Sequence, residues 1–233
     1  MIMMDIIKLF TVWDGLAVSV LFISWIGMSF IIERTSNRHL SVSLLMNDYR
    51  RNWMKEFVTR EPRIFDAQIM ANLRQGTAFF VSACMIAIGG GIAVIGNTEQ
   101  LLMVADDFAV DQTPAVVVEI KLVVTLLFMT NAFLKFVWAH RLFGYCSIVM
   151  ASVPNDITDP IALTRAEKAA EINITAARGF NRGMRSIYFA FAAAAWLLGT
   201  VALAAATVIT VLVIWRREFA SHSRAVLMED DNV

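Results

Sequence analysis

The sequence predicts an all-α, polytopic membrane bundle of four transmembrane helices with long cytoplasmic helical extensions. Hydrophobic residues make up 58% of the chain and charged residues 17%, below the roughly 25% charged that is usual in soluble domains. Four long runs carry little or no charge, and each is long enough to cross a ~30 Å hydrocarbon core as a helix. The charges between these runs are sorted by sign, as expected of loops on two sides of a membrane. Residues 1–233 read as a single membrane domain. The 20 basic and 20 acidic side chains cancel, so no bulk charge recruits nucleic acid and none is expected as a partner.

The first run spans Gly15–Ile32, between Trp13 and the pair Glu33-Arg34. It lacks a basic leader and a small-residue cleavage site, so it reads as a retained span and not a signal peptide. The second, Gly76–Ile95, follows a polar shoulder that begins at Asp66. Gly76, Ala83, Ala87 and Gly91 recur down one side of it, a stripe that lets another helix approach closely in lipid. The third run is Ile120–Ala139, with Lys121 and Lys135 near its ends. The fourth, Ile187–Trp215, is about 29 residues long, or about 43 Å as a helix.

Four spans place both termini on one side. The connection Glu33–Gln75 holds eight Lys/Arg and His140–Ser186 holds six, whereas Gly96–Glu119 holds none. That middle connection is acidic instead, through Glu99, Asp106, Asp107, Asp111 and Glu119. The basic arms are therefore expected in the cytoplasm, with both termini on the outer side of a bacterial cytoplasmic (inner) membrane. Arg216 and Arg217, on the outer flank in this reading, run against it.

Both arms are expected to be helical. Leu45, Tyr49, Trp53 and Phe57 form an i, i+4 apolar stripe. Pro62 opens a further helix that continues through Gly76 into the second span, about 50 Å in all. The third span extends past Arg141 to Met150, until Pro154 stops it. Asp159-Pro160 supplies a cap and first position for a helix through the alanine-rich stretch Ala166–Ala177, with Gly179 and Gly183 marking a kink.

The residues with site chemistry are few. Cys84 and Cys146 read as free thiols, and His39, His140 and His222 have no ligand spacing to one another. No catalytic residue, metal site or cofactor is expected, and the chain leans away from an enzyme. Asn72, Gln75 and Gly76 on the second helix share a depth with Asn181 and Arg182 before the fourth, a candidate polar vestibule for an anion. Interfacial snorkelling and interhelical hydrogen bonds are the competing reading of these residues. Tyr49, Arg50, Arg51 and Trp53 form a candidate surface for a partner or anionic lipid. The expected partners are the bilayer, anionic lipid and further copies of the chain. The favoured function is a homo-oligomeric channel or permeation protein lined by the second helix. The alternative is a structural or accessory protein that docks a partner through its cytoplasmic helices.

The stretches SLLMNDYRRNWM from Ser43, DAQIMANLRQGTAFF from Asp66 and KFVWAHRLFGYCSI from Lys135, with FNRGMRSIYFAFA from Phe180 and WRREF from Trp215, carry a resemblance. The chain resembles a bacterial family of integral membrane proteins known as domain of unknown function 599. The resemblance covers most of the chain and implies a multi-span membrane protein; it supplies no activity and no catalytic residues.

Overall fold

The computed structural model describes residues 9–34, 40–100 and 114–229. Helix α1 (Val12–Glu33) starts at a capping box, in which Asp14 N–H donates to the Thr11 hydroxyl and Thr11 N–H donates back to Asp14. Such reciprocal bonds satisfy backbone donors that the first turn leaves open. Helix α2 (Val42–Thr59) is capped by Ser41, whose hydroxyl also donates to the Ile32 carbonyl at 2.8 Å and closes the α1–α2 corner. Helix α3 (Ile64–Gly96) runs unbroken through Gly76 for 33 residues. Helix α4 (Ala115–Ala151) follows Pro114. Helix α5 (Pro160–Ala194) begins at Asp159, which accepts the Ile161 N–H at 2.9 Å, with proline in the first turn where its missing N–H costs nothing. A 3-10 turn (Ala195–Leu198), α6 (Thr200–Phe219) and α7 (His222–Met228) complete the described chain. The acidic positions Asp106, Asp107 and Asp111 lie outside the described residues.

Four helical stretches are long and apolar enough to cross a membrane: α1, α3, α4 and Thr200–Met228. Most of their apolar side chains point outward, with Ile86 76% and Val201 84% exposed. A continuous belt of this kind is a liability in water and is what hydrocarbon accepts. The polytopic bundle expected from the sequence is the fold.

The long helices serve two stacked layers. In the membrane layer, Leu21, Phe128, Phe189, Trp196 and Leu203 pack α1, α4, α5 and α6 together, while Cys84, Ala132 and Phe136 join α3 to α4. In the second layer Met54 and Phe57 of α2, Met70 of α3 and Phe143 and Cys146 of α4 meet Ala162, Ala166, Ala169 and Ala170 of α5. Small side chains at helical spacing bring the α4 and α5 axes close, and this is the most extensive helix pair. Gly183 belongs to the same seam: a Cβ there would lie 2.8 Å from the Phe136 ring. Gly179 faces the Ala139 methyl. Both glycines therefore permit close approach, and the chain stays helical through them.

The fourth apolar run differs most from expectation. Residues 187–215 do not form one long helix; the chain turns back at Gly199, whose φ is +115° with ψ 168°, a region open essentially to glycine alone. Just before and after this residue, Trp196 Nε1 (2.8 Å) and the Thr200 hydroxyl both donate to Asp14 at the start of α1. At the other end of α6, Glu218 accepts from Ser43, beyond the end of α1, and Arg217 donates to the Tyr188 hydroxyl of α5. Helix α6 thus returns antiparallel to α5. The start of α1 and the end of α6 lie at opposite ends of the bundle, so an arrangement with both termini on one side no longer follows. Hydropathy cannot register the reversal, because a turn flanked by apolar residues on both sides is as apolar as an unbroken helix.

Replacing Gly199 by alanine should cost on the order of 1–3 kcal/mol, because a Cβ is forced into a glycine-only conformation. Gly90→Ala, at a helical position with no heavy atom within 4 Å of the added methyl, should be neutral or stabilising by up to about 1 kcal/mol. Unfolding midpoints of the two variants in mild detergent distinguish these outcomes.

Candidate functional site

At the boundary between the layers, the C-terminal end of α1 meets α5 through charge. Glu33 Oε1 accepts from Arg182 Nε at 2.8 Å and from Arg185 Nη2 at 2.6 Å, while its Oε2 takes the second Arg182 fork. Arg185 also reaches the Ser29 hydroxyl at 3.3 Å and keeps only 5% of its side chain exposed. A bidentate fork onto one carboxylate is the strong form of this bond. Arg182, expected in a polar vestibule, is committed here to a structural ion pair.

Asn72, Gly76 and Asn181 do come together. They border a cavity of about 240 Å³ between α3 and α5 that also touches Arg50, Thr77 and Phe180. Gln75 is not among its lining residues and is exposed on α3. A second cavity of about 250 Å³ lies between α2 and α5, lined by Ser43, Asn47 and Arg178 and sharing Arg50, Ala177 and Asn181 with the first. Asn181 Nδ2 donates to the Ser43 hydroxyl at 3.2 Å, and Ser43 passes N–H and O–H bonds of 3.1 and 2.9 Å to Glu218. The two cavities form one polar cleft, immediately beneath the ion pairs of Glu33.

Arg50 stands where the cavities adjoin. Its Nη1 donates to Asn173 Oδ1, and Asn173 is fully buried. The Asn173 amide points its NH₂ at the sulfurs of Met70 and Cys146, 3.4 and 3.7 Å away, which aims the oxygen at Arg50. The Cys146 thiol in turn donates to the Ala169 carbonyl at 3.3 Å. Burial pulls the Arg50 guanidinium below its ordinary value, since the cation has lost water without gaining a carboxylate.

The other candidate surface is divided. Tyr49 is 40% exposed, and Arg51 holds exposed pairs with Asp48 (3.0 Å) and Glu171 (2.8 Å). Arg50 turns inward, and Trp53 Nε1 donates to the fully buried Asp66 at 2.7 Å beside Arg60 at 2.5 Å. These positions fan around α2, and the buried face is Met54, Phe57 and Val58. The i, i+4 stripe through Tyr49 gave the correct period and a rotated face. Residues the sequence reading passed over, Asn173, Ser43, Asn47 and Glu218, carry no local signal; an acid closing an apolar run, as Glu33 does, was the one legible cue. Among the described residues no group of three His, Cys, Asp or Glu side chains could hold a metal ion.

A lipid-facing belt, ion pairs at the layer boundary and a polar cleft beneath them define a multi-span helical membrane protein. A family model described as "protein of unknown function, DUF599" matches residues 16–223, and the chain belongs to that family. No curated protein and no solved structure matches it.

Glu33→Gln takes away the carboxylate that Arg185 contacts, leaving that nearly buried cation only the more distant Glu218, and should cost on the order of 3 kcal/mol. Arg51→Ala removes only exposed pairs and should change stability by less than about 1 kcal/mol. Equal losses for the two variants in detergent unfolding would contradict this division of roles.

Proposed function

We propose that the protein is a bacterial inner-membrane protein that assembles with copies of itself through α3 and passes a small solute or ion between subunits. The observation that carries this reading is the isolation of α3. Almost none of its apolar stretch is buried, and its main packing partner is α4 alone. Its free face carries Gly76, Ala87 and Gly90 among the exposed Phe79 and Ile86, and continues downward into exposed Asn72 and Gln75. Small residues permit close helix contact in lipid, and the polar shoulder would line the entrance to a passage between copies. Within one chain the bundle interior is filled by Phe128, Phe136 and Phe189, so a route through a single bundle has no support.

The orientation we propose sets the start of α1 outside, with α2, the lower parts of α3 to α5 and the end of α6 in the cytoplasm. Beyond the four long apolar helices, the apolar end of α5 then makes a fifth crossing. This resolves the dissent of Arg216 and Arg217, which join Arg224 and the basic residues of both arms on the inner side. A cysteine at Glu99 should be labelled by an impermeant thiol reagent on intact cells, while cysteines at Asn52 and Ser223 should require permeabilisation. Labelling of Ser223 from outside would overturn the orientation.

An accessory role is the second reading, favoured by exposed Ile64, Phe65, Ile157 and Ile161 at the cytoplasmic tip. There Arg63 ties the start of α3 to the α4–α5 turn through the Val153 and Pro154 carbonyls. The two readings separate experimentally. Ala87→Cys on α3 should crosslink between copies in native membranes, Ile209→Cys on α6 should not, and reconstituted protein should give solute or ion flux that Gly76→Leu abolishes. A monomer without crosslinks and without flux would leave the accessory reading.

A further inference from the structure

The cleft beneath the Glu33 ion pairs has the composition of a binding site that lacks its anion. Arg50 offers five N–H donors in a planar fork, and one hydrogen bond, to Asn173, is recorded for it among the described residues. No carboxylate lies within 4.0 Å of it among those residues, although Arg51, Arg60, Arg182 and Arg185 each have one. A half-buried arginine without a carboxylate has lost part of its hydration uncompensated, yet this one is held in place from behind: the fully buried Asn173 amide, oriented by two sulfurs, fixes one arm of the fork. The remaining donors border the two cavities.

Other helices supply donors to the same space. Asn72 uses its oxygen to accept from Gln68 at 2.9 Å, which leaves its NH₂ available, and the residue lines the cavity. Asn181, shared by both cavities, spends one N–H on Ser43 and keeps the other. Glu33 and Glu218, which border the α2 side, are already engaged by Arg182, Arg185 and Ser43. We infer that the cleft between α2, α3 and α5 binds a phosphoryl-type oxyanion, gripped by the Arg50 fork and the Asn72 and Asn181 amides.

Three arguments select that chemistry. Donors from three helices converge from different directions, which suits a tetrahedral oxyanion better than a planar carboxylate. Arginine is the side chain whose fork matches phosphate geometry and tolerates partial burial. Cavities of about 250 and 240 Å³ each have room for a phosphoryl group. The cleft also lies next to the layer boundary marked by Arg182 and Arg185, the depth at which lipid phosphates sit. A phosphate on a lipid headgroup and free inorganic phosphate therefore share one chemistry here. Binding requires a single chain, so it stands or falls separately from permeation between copies.

The test uses the full chain in dodecyl maltoside, with tryptophan fluorescence following thermal unfolding. Inorganic phosphate, phosphatidylglycerol and phosphatidylcholine are added separately, against sodium acetate and sodium chloride at matched ionic strength. A saturable rise in midpoint of about 5 °C is expected at ligand ~100-fold above its Kd. A rise with inorganic phosphate identifies the free ion; a rise with phosphatidylglycerol but neither phosphate nor phosphatidylcholine identifies the anionic headgroup. Arg50→Gln should abolish the rise and Arg50→Lys should retain part of it, while Arg51→Gln should leave it unchanged. Because Arg50→Gln can also weaken folding, Asn181→Leu carries the decision: it keeps the guanidinium and should raise the half-saturating concentration at least tenfold. No saturable rise with any phosphoryl ligand, an equal rise with acetate, or an unchanged response in Asn181→Leu would overturn the proposal.

Discussion

Helix α1 is held at its two ends by two carboxylates, and the arrangement of the membrane layer depends on them. Between hydrocarbon-facing helices the hydrophobic effect no longer chooses neighbours, so polar contacts and close packing must. Asp14 accepts the Thr11 N–H at 3.0 Å and hydroxyl at 2.7 Å through one oxygen, and through the other it holds Trp196 and Thr200 on both sides of the reversal. Glu33, about 28 Å further along the helix at 1.5 Å per residue, takes both arginines of α5. One strut thereby fixes where the α5–α6 hairpin turns and the depth to which α5 is inserted. Lys121 Nζ, 5.7 Å above the Trp196 ring, adds a cation–π contact at the same end.

The second layer is built on different physics while sharing the same helices. Water surrounds it, so burial of Met54, Phe57, Met70, Phe143 and the α5 alanines stabilises it as in a soluble bundle. Because α3, α4 and α5 continue through both layers, neither layer can rotate against the other without breaking a helix. The junction must then accommodate the change from hydrocarbon to water, and polar groups collect there: Ser43, Asn72, Asn181, Arg182, Arg185 and Glu218. Most of them satisfy one another. Arg50 is the exception, held by a buried amide and facing open volume.

Local chemistry was legible wherever it alone decides the backbone. The start of α5 at Asp159-Pro160 follows from a side-chain acceptor and a proline that the first turn tolerates. The passage of α3 through Gly76 follows from an apolar run with no breaker strong enough to stop it. Faces were harder. Positions 49, 50, 51 and 53 are neighbours in sequence but point in different directions around α2, so only packing against α5 decides that Arg50 turns in and Tyr49 turns out.

The sequence by itself determined the class, the apolar helices and the helical arms, because hydropathy over twenty residues and capping within four are local quantities. Only the tertiary structure decided that the last apolar run reverses at Gly199, since an apolar turn and an apolar helix have the same composition. It also decided which arginine is occupied. Arg182 and Arg50 read alike as basic residues beside apolar segments, yet Arg182 meets Glu33 across 149 residues of chain whereas Arg50 meets the Asn173 amide across 123. A charge's partner is set by where helices cross, and no local pattern encodes a crossing.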